Sequence, residues 1–326
     1  MESKKLETGY FILSLDTELA TGFFDYDEKR KRLFSADGSR EREKIARLLT
    51  IFDQYKITAT WAVVGHLFYD HCEECDICPL LAWKGKYESF EEAYKTNHPL
   101  WYGADVIDML LEHEVKHEIA FHGYIHEIFT ENRMSKEQAE IEIQEYLRVA
   151  KRRGITPTSI VFPRDQAGYL DLFEKYGFQC YRSEIDPPFL FRQHLPGRIL
   201  KTIDHILGIT TAPIFELDDF QNGQLVKLLP SQEIFGFNRK TEVFLDNLNM
   251  PLLRIRRIAR AIRKAADQKK VVHIWAHPWQ FDTEKDFEKL CCILENVTEE
   301  VQRERMKSVS MAEMAAMVSE THDSKI

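Results

Sequence analysis

Glu118-Ile-Ala-Phe-His-Gly-Tyr-Ile-His126 decides how the chain is read. Ile119, Ala120 and Phe121 make a short apolar run of the kind a buried strand shows. The run ends in His122, and His126 follows four residues on. One helical turn between them would aim both imidazoles the same way. Two imidazoles converging at the end of a buried strand supply half of a tetrahedral metal site. The alternative is a strand-capping histidine beside an ordinary surface one.

Moving outward, the same form recurs. Phe11-Ile-Leu-Ser-Leu15 is an apolar run of strand length, closed by Asp16-Thr17-Glu18. Side chains two apart on a strand share a face, so Asp16 and Glu18 sit together if the strand continues through them. They are either acids opening a loop or a carboxylate pair, one binding metal and one serving as base. Thr58 to Val64 reads as a second buried strand, ended by Gly65. Thr158 to Phe162 runs into Pro163-Arg164-Asp165, and Phe178 to Tyr181 runs into Arg182. Val271 to Trp275 is the last strong strand, followed by Ala276-His277-Pro278-Trp279.

Helical patterns separate these strands. Ser39 to Tyr55 places Ile45, Leu48, Leu49 and Phe52 on one face. Gly103 to Glu114 follows, and a capping box at Ser135–Gln138 opens a helix that Gly154 stops. Leu170 to Tyr176 is short. Pro251 to about Asp267 is basic, with either a solvated face or a phosphate or lipid-headgroup contact. A second capping box, Ser310–Glu313, starts a terminal helix. Strands alternating with helices are the signature of a parallel α/β architecture. In a parallel barrel the carboxyl ends of all strands open onto one face. Asp16, Glu18, His122, His126, Arg164, Asp165 and His277 can therefore meet although distant in sequence.

The bulk properties agree. The chain of 326 residues suits one α/β barrel, with 44% hydrophobic and 30% charged residues. A formal net charge of −9 argues against nonspecific nucleic-acid binding, which needs a basic face. No apolar stretch approaches the roughly 20 residues of a membrane helix. Met1 to Tyr10 holds no apolar core of signal-peptide length, so a cytoplasmic protein is expected. Of the six cysteines, Cys72, Cys75 and Cys78 lie beside His71; they are either zinc ligands or thiols in a variable loop. Residues 183–250 read as an irregular excursion, a candidate substrate-facing flap, with a strand at Ile209–Leu217.

This order of motifs resembles the polysaccharide deacetylase (NodB-homology) family, carbohydrate esterase family four. The matching residues are Ser14-Leu15-Asp16-Thr17-Glu18, Thr58 to Gly65, His117 to His126, Pro163-Arg164 and Ala276-His277. The resemblance implies a distorted (β/α) barrel of parallel strands with outer helices, as a single domain over 1–326. It implies a divalent metal, with Zn²⁺ as the leading choice, on Glu18, His122 and His126. Asp16 corresponds to the base and His277 to the acid. Arg164 would hold Asp16 ionised, while Asp165, Trp275 and Trp279 would face substrate. Two departures stand out. Thr17 occupies the position of the metal-binding aspartate, which leaves Glu18 or Asp16 as third ligand, and the arginine motif is reordered. Asp186 and Asp218 are the candidates for an acid orienting His277. The implied activity is metal-dependent removal of an acetyl or formyl group from the nitrogen of an amino sugar, in a cell-envelope polysaccharide or its precursor. The alternatives are metal-independent hydrolysis of a cyclic amide or ureide, as in allantoinase, and a non-catalytic carbohydrate-binding relative.

Overall fold

A computed structural model describes residues 6–23, 34–71, 99–184, 204, 208–220, 223, 225–236, 243–246 and 251–323. Among the described residues, nine strands make one sheet: β1 (Gly9–Thr17), β2 (Thr60–Val63), β3 (Glu118–Phe121), β4 (Ser159–Val161), β5 (Cys180–Arg182), β6 (Val226–Leu228), β7 (Gln232–Glu233), β8 (Val271–Ala276) and β9 (Met306–Ser308). Their order is β6-β5-β4-β3-β2-β1-β8-β7, and every pairing is parallel. β9 pairs with the start of β1, at Gly9–Phe11, on the edge opposite β8.

The sheet is curled into a half-barrel. β5 and β1 stand four steps apart in strand order, about 19 Å on a flat sheet. Yet Arg182 of β5 touches Asp16 of β1, Nη1 to Oδ1, at 2.7 Å. The two ends of the sheet, β6 and β7, are joined by residues 229–231 alone.

Helices cover the outside: α1 (Ser39–Tyr55), α2 (Ala104–Glu112), α3 (Lys136–Arg152), α4 (Leu170–Lys175), α5 (Pro251–Gln268), α6 (Glu284–Gln302) and α7 (Met311–Asp323). Strand residues alternate between two cores. Phe11, Leu13, Leu15, Trp61, Val63 and Phe121 pack outward against α1, α3, α5 and α6. Tyr10, Ile12, Ala62, Ala120, Val161 and Val271 point inward, onto Met311 and Met314 of α7. Each of the larger aliphatic and phenylalanine side chains among them contributes roughly 1.5–3 kcal/mol. α7 sits at the base of the barrel, since its Met311 and Ala312 N–H groups donate to Thr60 and Glu118 at the starts of β2 and β3. Both expected capping boxes form: Ser135 with Gln138, and Ser310 with Glu313.

Four elements depart from the sequence reading. The stretch taken as an excursion supplies β6 and β7, which complete the sheet. The strand expected at Ile209–Leu217 reduces to one antiparallel bridge, Phe215 with Val271, and Leu217–Phe220 is a short 3₁₀ turn. α6 and β9 were not anticipated. Cys72, Cys75, Cys78 and Asp186 lie outside the described residues. Among the described residues, no helix is long and apolar enough to cross a membrane.

Candidate active site

Three strand ends build the centre of the site. β1 runs through Thr17, and Asp16 and Glu18 share its inward face, as the alternation requires. The chain then reverses at Leu19, in the left-handed region at φ 44°, into a short turn over Thr21–Phe23. Glu18 meets the two histidines there. Its Oε2 lies 2.8 Å from His126 Nε2 and 3.7 Å from His122 Nε2. All three residues are buried, and their ligand atoms lie within 4.8 Å of one another.

The loop from His122 to His126 is not a helical turn. Gly123 and His126 adopt positive φ, 77° and 62°, and the loop bends back on itself. Buried Glu142 of α3 holds it by accepting the N–H groups of Tyr124 (3.0 Å) and Ile125 (3.2 Å). His122 Nδ1 bonds the Val161 carbonyl at 2.8 Å. That fixes the ring with Nε2 toward Glu18 and without a hydrogen-bond partner; His126 Nδ1 also has none. Unpartnered buried polar atoms are costly and demand an explanation. Two imidazoles and a carboxylate, with His122 Nε2 orphaned among them, fit a small divalent cation with mixed N/O ligation.

Beside this trio, Asp16 is gripped by Arg182. The guanidinium bonds both carboxylate oxygens, at 2.7 and 2.6 Å, and also reaches Asp165 (3.0 Å) and Ser14 (3.2 Å). Ser14 in turn pairs with His273 Nε2 at 2.9 Å, and burial pushes His273 down to about 3, so it stays neutral. Burial would raise the Asp16 carboxyl, but the charge and hydrogen bonds of Arg182 outweigh it and leave the pKa below its ordinary value. Glu18 ends well below the usual carboxylate range for a parallel reason: burial raises it, and His126 and His122 more than reverse that.

His277, just past β8, faces this group. Its Nε2 is 3.9 Å from both Asp16 Oδ2 and Glu18 Oε1, and its Nδ1 is 3.9 Å from Glu233 Oε1 of β7. Gln280 braces both neighbours, accepting the His277 N–H (2.8 Å) and donating to Glu233 (2.8 Å). An open cleft of about 440 Å³ lies on the loops that follow β3 and β4, lined by Phe129 to Asn132 and Ala167 to Tyr169.

Asp16, Glu18, His122, His126 and His277 thus converge. Arg164 is a correction: it is exposed in left-handed backbone (φ 57°), and the guanidinium on Asp16 is Arg182's. Asp165 serves as a second acid on Arg182. Trp275 is buried with its ring 4.3 Å from the Arg182 guanidinium carbon, a cation–π cover rather than a free sugar platform. Trp279 lies tilted against His277, centroids 5.2 Å apart, and its Nε1–H donates to Glu18 Oε1. Asp218 is exposed on the Leu217–Phe220 turn, and the acid facing His277 is Glu233. Arg182, Glu233 and Glu142 were assigned no role from sequence. Arg182 alone left a signal, as a charged residue closing an apolar strand.

Comparison with solved structures gives the same architecture. A Mycobacterium smegmatis protein assigned as a polysaccharide deacetylase aligns over 99% of this chain and 95% of its own, with a TM-score of 0.57 and 14% identity. A probable polysaccharide deacetylase from Pseudomonas aeruginosa PAO1 aligns over 94% and 89%, at 0.51 and 11%. Puue allantoinase aligns over 94% and 89%, at 0.50 and 12%. The fold is that of the polysaccharide deacetylases, a NodB-type (β/α) barrel. No family model and no curated protein matches the sequence.

Proposed function

We propose that this protein is a hydrolase that uses a divalent cation, Zn²⁺ by its donor set, to remove an acetyl or formyl group from the nitrogen of an amino sugar in an envelope polysaccharide or its precursor. The observation that carries the reading is the buried Glu18–His122–His126 trio beside an arginine-held carboxylate and a facing histidine. Glu18, His122 and His126 would hold the cation. Bound there, it supplies Lewis acidity: a lowered pKa for water and a polarised acyl carbonyl. Asp16, kept ionised by Arg182, accepts the proton of the attacking water. His277 donates a proton to the departing nitrogen, which leaves poorly as an anion. Glu233 orients the His277 ring, and Gln280 fixes Glu233. Acid and base groups of this kind each contribute about 10²–10⁴-fold.

Elemental analysis of the purified protein, joined to a panel of N-acetyl and N-formyl amino sugars with allantoin included, tests this. We expect one tightly held divalent ion and release of acetate or formate, both lost in His126→Ala. Full activity in metal-free protein, or turnover of allantoin alone, would support the cyclic-ureide reading, which the shared allantoinase fold keeps open. The orphaned Nε2 of buried His122, which faces Glu18, favours the cation.

A further inference from the structure

The trio has an unusual requirement. A glutamate side chain has one more rotatable bond than an aspartate, so its carboxylate must be fixed by something other than its own backbone. Two residues do this, and neither is a candidate ligand. The first is Gly22, in the turn that follows Glu18. A Cβ built on Gly22 would lie 2.0 Å from Glu18 Oε2, 2.2 Å from its Cδ and 2.7 Å from Oε1. The carboxylate occupies the space a side chain at 22 would need. Gly22 is not in left-handed backbone, so crowding alone excludes alanine. The atoms that would yield are the far end of the glutamate, not the main chain. The second is Trp279, whose Nε1–H donates to Glu18 Oε1 at 3.2 Å. That bond takes one oxygen and leaves Oε2 toward the imidazoles. The turn carrying Trp279 is itself pinned, because Lys44 of α1 bonds its carbonyl (3.2 Å) and Asp282 (3.0 Å).

We propose that Gly22 and Trp279 are positioning residues: together they set the Glu18 carboxylate for cation binding, Gly22 by leaving the space and Trp279 by holding one oxygen. This rests on the cation reading of the trio. It assigns Trp279 a task other than stacking on sugar, and it explains how a glutamate serves where the adjacent residue, Thr17, offers a poor ligand.

The test is Zn²⁺ affinity, read by competition with a chromophoric chelator, with Co²⁺ absorption reporting geometry. Activity is not needed. Partners that orient a ligand are typically worth 10–100-fold in metal affinity. Trp279→Phe and Gly22→Ala are each expected to weaken Zn²⁺ by about that much, with circular dichroism and melting unchanged. The Gly22→Ala loss should shrink to within about twofold when Glu18→Asp is already present, because the shorter acid withdraws from residue 22. A general structural role for Gly22 would not show that dependence. Both single variants within twofold of wild type would overturn the proposal. If Gly22→Ala does not fold, Trp279→Phe decides alone. Wild-type protein that takes up no divalent ion would instead remove the cation reading itself.

Discussion

At the base of the barrel, Glu118 opens β3 with Oε2 between Thr60 Oγ1 (2.7 Å) and the Ala312 N–H of α7 (3.1 Å). At the mouth, Glu18 ends β1 against two imidazoles. Both carboxylates sit deep in the protein, yet they titrate in opposite directions. Burial pushes Glu118 up, and its bonds to Ser159, Thr60 and the Ala312 N–H only moderate the rise. Glu18 is pulled well down by its histidines despite the deeper burial of its residue. Depth therefore does not set the charge of a carboxylate here; the presence of a cationic neighbour does. Burial raises the pKa of the acid at the base, while the mouth lowers those of its acids Asp16 and Glu18 and leaves His122 Nε2 without a hydrogen-bond partner. Glu142 confirms the rule from within the mouth. It lies beneath the histidine loop, it accepts two N–H groups, and burial still pushes it up to about 8.

The strongest way to break the comparison is to take the cation from Asp16. In Arg182→Leu, burial would act on Asp16 with only His122 and His277 opposing it. Losing one partner of a buried ion pair costs about 3–5 kcal/mol, which a denaturant melt measures. Asp16 has a depressed folded pKa, so its pairing stabilises at neutral pH and is lost as pH falls through that pKa. The variant should therefore show a flatter acid limb of stability. Its activity profile should shift to higher pH and fall by about 10²–10⁴-fold near neutrality. An unmoved acid limb would mean that Arg182 does not govern Asp16.

Glu142→Gln gives a smaller and purely pH-dependent effect. The folded pKa, about 8, stands above the ordinary value of 4.5. Stability from the neutral carboxyl is full below the lower value and declines as pH rises toward the upper one. Wild-type protein should lose stability across that window, and Glu142→Gln should lose less. Identical slopes would show that Glu142 is already ionised.

These contrasts also mark how far the sequence is legible. The runs at 11–15, 119–121 and 271–275 announce strands because they are mostly apolar and lead into polar residues, and all three are buried. The residues closing them, Asp16, His122 and His277, follow from the rule that parallel strands open on one face. Arg164 misled because it too closes a strand. It is exposed, in left-handed backbone that no local pattern disclosed, and the guanidinium on Asp16 comes from Arg182 instead. Glu233 was hidden because β7 has two residues, too few for any alternation to register. Arg182 shows the deepest limit. Its partner Asp16 is brought near by the curl of the sheet, a consequence of all the strands together.

The gentlest test separates the two glutamates directly. Burial raises the Glu118 pKa and no cation is among its hydrogen-bond partners, so an amide of the same shape should replace it at little cost. In Glu118→Gln the amide oxygen can keep the bonds from Thr60 and Ala312, and the amide nitrogen can face Ser159. The expected change is under about 1 kcal/mol, the scale of one neutral hydrogen bond, with divalent-ion content unchanged. The folded pKa of Glu118 is raised, so its contribution weakens as pH rises. The variant should match or exceed wild type at alkaline pH. The same change at Glu18 removes a charge that two imidazoles require, and should empty the site and lower the melt. Equal responses at the two positions would mean that the ends of the barrel do not differ in the way their neighbours dictate.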